Sequence, residues 1–85
     1  MDCGPQTGWR VYIISSIDYK GRDATLHATH RNYVIGETYH YICWDRKIET
    51  LKEARAICVR WSEITVKYIR TGISFDVIAK QMIAR

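Results

Sequence analysis

One segment, Thr50 to Gly72, carries the pattern of a long amphipathic helix with both ends marked. Thr50-Leu51-Lys52-Glu53 has the form of a capping box. The Thr50 hydroxyl is placed to accept from the Glu53 amide, and the Glu53 carboxylate to reach back to Thr50. Gly72 stands just after Arg70 and Thr71, where a left-handed C-terminal stop belongs. At about 100° per residue, Leu51, Ala54, Ile57, Cys58, Trp61, Ile64, Thr65, Tyr68 and Ile69 share one apolar arc. Lys52, Arg55, Arg60, Lys67 and Arg70 lie opposite, with Glu53 and Glu63 the acids among them. Such a helix is about 30 Å long, and its apolar arc must cover another layer.

The layer comes from the residues before it. Residues 1–8 hold the only proline and read as a flexible lead-in to one domain over 9–85. Trp9–Tyr19 is rich in β-branched and aromatic residues, apolar on both faces of its first half, and reads as a central strand. Lys20-Gly21-Arg22-Asp23 follows as a hairpin turn. Ala24–His30 alternates, with Ala24, Leu26 and Ala28 against Thr25, His27 and Thr29, as in a half-buried strand. Tyr33-Val34-Ile35 extends that strand towards Gly36, and Tyr39–Trp44 is the third. Asp45–Glu49 is a short charged connection. After Gly72, Ser74 caps a shorter helix that has Asp76 in its first turn and Phe75, Ile78, Ala79, Met82 and Ile83 on one face. The expected fold is α+β with order β-β-β-α-α: a three-stranded antiparallel meander on one long helix, and a short C-terminal helix.

Eighty-five residues supply one modest core. The 13 basic and 9 acidic residues leave a net charge of +4, which permits contact with nucleic acid or an acidic protein surface and disfavours a DNA mimic. Cys3, Cys43 and Cys58 have no CxxC spacing, and no apolar leader precedes them. The reading is a reducing cytoplasm, with Cys43 and Cys58 as small buried hydrophobes. No apolar run approaches the ~18 residues of a membrane span.

Chemistry is hard to assemble from these residues, and the chain reads as a non-enzyme. Nucleophilic catalysis needs a thiol or hydroxyl beside an oriented base, yet Cys58 falls on the apolar arc and His40 is set across the sheet from Cys43. On a strand, His27 and His30 diverge; a metal site would need His30 to turn into the loop, with Cys3 or His40 completing it. The expectation is no metal and no cofactor, since no glycine-rich phosphate loop is present either.

Two surfaces remain. Val59 and Val66 fall on the outward helix face among Arg55 and Arg70, flanked by Lys52 and Lys67. An apolar ridge rimmed by guanidinium groups suits a protein contact. Two readings compete with a heterologous partner: coverage by Phe75, Ile78 and Met82 of the second helix, and packing against a second copy of the chain. The other surface is the sheet's outer face, where Tyr12, Tyr39 or Tyr41 accompany basic residues that could contact nucleic acid.

Residues 9–62 resemble the arm-binding DNA domains of tyrosine recombinases, through Trp9-Arg10-Val11-Tyr12 and through Ile48-Glu49-Thr50-Leu51-Lys52-Glu53-Ala54 leading into the helix. The resemblance implies a sheet in the DNA major groove, with Arg10, Lys20, Arg22, Arg31 and Arg46 as contacts. The tail does not fit a helix-turn-helix: with Gly72 at the turn, Tyr68 stands where a small residue is required. In overall type the chain is similar to small phage-encoded inhibitors such as anti-CRISPR proteins, which occlude a larger host complex. The leading expectation is a non-enzymatic cytoplasmic binding module, a phage or mobile-element inhibitor that docks on a host nucleic-acid-handling complex. Its contacts would be Lys52, Arg55, Val59, Val66, Lys67 and Arg70. A DNA-binding module using the basic, aromatic sheet face is the alternative.

Overall fold

Local capping decides where the chain coils. The computed structural model describes residues 8–44 and 47–83, and its elements are β1 (Tyr12–Ile13), α1 (Leu26–Thr29), β2 (Arg31–Asn32), β3 (His40–Ile42), α2 (Leu51–Thr71) and α3 (Phe75–Ile83). The α+β class holds, with a three-stranded antiparallel sheet, a long helix and a short C-terminal one. The strand order is β1-β3-β2, however, so the sheet is not a meander. Its centre is the third strand and not the first. Tyr41 and Ile42 of β3 are buried, whereas β1 ends at Ile13 and Ile14 beyond it is 73% exposed.

The strand expected over Ala24–His30 is instead the single turn α1. Asp23 Oδ1 accepts from the Thr25 amide at 3.0 Å, and Thr25 Oγ1 from the Ala28 amide at 3.4 Å. These short side-chain bonds favour a coil over an extended ladder. The turn closes on His30 in the left-handed conformation, φ 53°. The hairpin turn expected at Lys20-Gly21-Arg22-Asp23 is instead a turn at 19–22, with Arg22 N–H donating to Tyr19 O at 3.0 Å, and it leads into α1 without joining two paired strands.

The ends of α2 match the sequence signals. Thr50 Oγ1 accepts from the Glu53 amide at 3.1 Å; the Glu53 carboxylate accepts from the Glu49 amide at 3.3 Å, one residue earlier than a standard box. At the far end Gly72 has φ 75°, and its N–H reaches Tyr68 O at 2.8 Å. A Cβ on Gly72 would lie 2.8 Å from the Arg22 guanidinium, which donates from Nε to Ile69 O at 3.2 Å. Arg22 thus places a cation at the negative end of the helix dipole.

Ala54, Ile57, Trp61, Ile64, Thr65 and Tyr68 form the buried face of α2. All of these but Thr65 pack with Tyr19, Ile42, Ile48, Phe75 and Ile78 into the hydrophobic core. Trp61 Nε1 donates to Thr29 O at 3.2 Å and Tyr68 Oη to Asp23 O at 2.8 Å, tying α2 to the segment around α1. Leu51 and Cys58, expected inside, are exposed. Both lie on the flank of the wheel, and strands of two or three residues are too short to cover it.

Ile48 is buried, so the charged connection before α2 carries a core residue. It bridges in parallel to Gly8, whose added Cβ would meet Ile48 O at 2.5 Å. The remainder of the expected lead-in, residues 1–7, lies outside the described residues. Cys43 is buried but disulfide-bonded, and Cys58 is an exposed free thiol. Neither is the reduced, buried hydrophobe that the sequence suggested. Iodoacetamide is expected to modify Cys58 in the native protein and Cys43 only after reduction. Peptide mass mapping reads this directly, and alkylation of Cys43 without reductant would refute the bond.

Candidate functional site

The outward face of α2 is open. Val59 is 58% exposed and Val66 52%, seven residues and about 10 Å of helix rise apart. The C-terminal helix does not cover them. Phe75 and Ile78 of α3 are buried in the core beside the inner face of α2, with Ala79 and Met82 packed against it. Lys52, Arg55, Lys67 and Arg70 are also exposed, and none pairs with a carboxylate among the described residues. All six residues singled out in the sequence therefore share one uncovered face. Glu63, exposed between the two valines, belongs to the same stripe and introduces one negative charge.

The basic residues proposed for DNA contact do not share a face. Arg10 lies over the Tyr41 ring at 5.0 Å and pairs with Glu37 at 3.4 Å. Lys20 pairs with Asp18 at 3.2 Å, and Arg22 caps α2. Arg31 is on the opposite side of the sheet from Arg10, its guanidinium 5.2 Å from the Tyr19 ring centre. Arg46 lies outside the described residues. Beside Arg10, Trp9, Tyr12, Lys47 and Glu49 border an open groove of about 780 Å3. Glu49 also lines this groove, and Arg10 is paired with Glu37, so the groove is not a purely cationic surface.

The histidines are dispersed as well. His27 is exposed on α1, His40 is half-buried on β3, and His30 is buried. Among the described residues no three His, Cys, Asp or Glu groups gather in a metal-binding arrangement. His30 stacks on Phe75 with ring centres 4.1 Å apart, and its Nε2 lies 3.2 Å from Asp76 Oδ1. Its Nδ1 is buried without a hydrogen-bond partner among the described residues. This contact docks α3 onto the end of α1, and periodicity carries no signal for it because the partners are 46 positions apart.

Burial holds the His30 pKa below the ordinary histidine value, against the opposing pull of Asp76; nearby His27 lowers it further. A group whose folded pKa is depressed binds its proton first in the unfolded chain. The expected result is full stability above pH about 6.5 and a falling melting temperature as pH drops from there towards the folded pKa. In Asp76→Asn the imidazolium loses its anionic neighbour, so the acid-side loss should deepen. Calorimetric scans from pH 8 to 5 measure both, and identical slopes in wild type and variant would exclude this assignment.

Among the described residues no helix is long and apolar enough to cross a membrane. No family model matches this chain, and no curated protein or solved structure is significantly similar to it.

Proposed function

We propose that this chain is a non-enzymatic binding module that docks on a protein partner through the outward face of α2. The observation that carries the reading is the exposure of Val59 and Val66 within a rim of cations that pair with no carboxylate among the described residues, while α3 packs elsewhere. Apolar residues at the centre of such a face supply affinity, and the arginines supply bidentate contacts to carboxylates of an acidic partner surface. In its fullest form the proposal is an inhibitor from a phage or mobile element that occludes a host nucleic-acid-handling complex. Occlusion by docking requires a contact surface, which this ridge supplies. A second copy of the chain is the competing protein partner. The cytoplasmic expectation no longer follows from the cysteines, because a disulfide at Cys43 is a feature of oxidising compartments.

Cys58, exposed beside Val59, allows a direct test. A photo-crosslinker attached there should capture a discrete partner from host extract, and Val59→Glu should abolish that capture. Capture that survives Val59→Glu overturns the ridge, and capture of the chain by itself identifies a homodimer. Tight binding to duplex DNA that weakens steeply with salt and is lost in Arg10→Ala would favour the alternative.

A further inference from the structure

A second cleft, of about 320 Å3, opens on the core-facing side of the sheet. The register places Ile13 opposite His40 and Arg31 opposite Ile42, which brings Arg31 and His40 to one side. After Ile13 the chain leaves the sheet, and Ser15 and Ser16 border the cleft opposite Thr38. We propose that this cleft is a binding site for the phosphate group of a small phosphomonoester.

Arg31 carries the argument. Its guanidinium is partly buried and has five N–H groups. Nε donates to Thr29 Oγ1 at 2.7 Å, Nη2 to Ala24 O at 2.7 Å, and Nη1 lies 3.5 Å from His40 Nδ1. These partners fix the plane of the group, and none of them is an anion. One N–H remains on each terminal nitrogen, the number a bidentate oxyanion takes. Among the described residues Arg31 has no carboxylate partner, and a half-buried cation in that position has a desolvation cost that a bound anion would offset.

The surroundings match that requirement. Among the described residues no carboxylate lines the cleft. Glu37, next to Thr38, is turned to Tyr12 Oη at 2.6 Å and to Arg10; Asp18, next to Ile17, is held by Lys20. Ser15, Ser16 and Thr38 offer hydroxyls that make no hydrogen bond within the described structure. With Nδ1 accepting from Arg31, His40 carries its proton on Nε2 as a further donor. Donors set around the cleft in this number suit a tetrahedral oxyanion with three or four acceptor oxygens better than a planar carboxylate. At the rim, Tyr39 is 48% and Ile14 73% exposed, an apolar seat for the organic part of the ester.

The test is an amide-resolved NMR titration at fixed ionic strength, with inorganic phosphate and phenyl phosphate as separate probes and chloride as control. Saturable shifts at Ser15, Ser16, Thr38 and His40 are expected in about the millimolar range, tighter for phenyl phosphate and then extending to Tyr39. Equal binding of both probes would assign the cleft to free phosphate and overturn the ester. Arg31→Gln should abolish the response. Because Arg31 also braces α1, the exposed pair Ser15→Ala/Ser16→Ala provides a variant that keeps the fold, with about tenfold weaker binding expected. Shifts that rise linearly, match chloride or survive both variants would overturn the site. Saturation by a single-stranded oligonucleotide but by neither small probe would also overturn it, in favour of nucleic acid. Val59→Glu should leave phosphate binding unchanged, which separates this site from the ridge.

Discussion

Trp61→Ala should cost this domain about 3–5 kcal/mol, the range for removing a large buried aromatic side chain. Trp61 is 4% exposed at the middle of α2, within the core shared with Ile42 and Phe75. Domains of this size are stable by only about 5–15 kcal/mol, so the variant should be partly unfolded at 37 °C. Two terms add. The indole leaves a cavity that a rigid helix cannot close, and Thr29 O loses its donor at 3.2 Å. Trp61→Phe separates them: it keeps most of the volume and forfeits the hydrogen bond, at about 1–3 kcal/mol. Urea denaturation followed by circular dichroism gives both values. A cost below about 1 kcal/mol for Trp61→Ala would mean that α2 does not dock on the α1 segment as described.

The double variant Val59→Glu/Val66→Glu should do the reverse, leaving the fold intact and removing association. Both side chains are more than half exposed, so stability should change by no more than about 0.5 kcal/mol. Glutamate is also a better helix former than valine. In a docked complex the same substitutions bury two carboxylates at the centre of the contact. A carboxylate buried there without a partner costs about 2 kcal/mol or more, so affinity should fall at least about thirtyfold. Arg55→Ala and Arg70→Ala, at the rim, should act mainly on the association rate and its salt dependence. Melting curves and surface plasmon resonance against the captured partner measure both effects. A large drop in melting temperature would show that the valines belong to the core.

How far the residues alone carry this picture depends on the range of the forces involved. The long helix was legible because its signals are local: a capping hydroxyl three residues from its acceptor site, a 3.6-residue repeat, a terminal glycine. Ala24–His30 was misread because seven residues of alternation fit a strand pattern, while the Asp23 and Thr25 side chains bond the backbone and favour a turn. Leu51 and Cys58 fall on the apolar arc by periodicity, yet they lie at its edge, and a small sheet leaves both exposed. The ridge residues were readable as a pattern, but their accessibility depended on where α3 packs. The phosphate cleft had no sequence signal, since Ser15, Arg31 and His40 meet only through strand register.

The sequence by itself determined the α+β class, both ends of α2 and which of its faces seeks the core, because capping and periodicity act within one or two helical turns. Only the tertiary structure decided that β3 is central, that α3 packs away from Val59 and Val66, and that His30 meets Asp76. Those outcomes depend on which apolar faces bury each other most completely, a competition among residues tens of positions apart that no local pattern encodes.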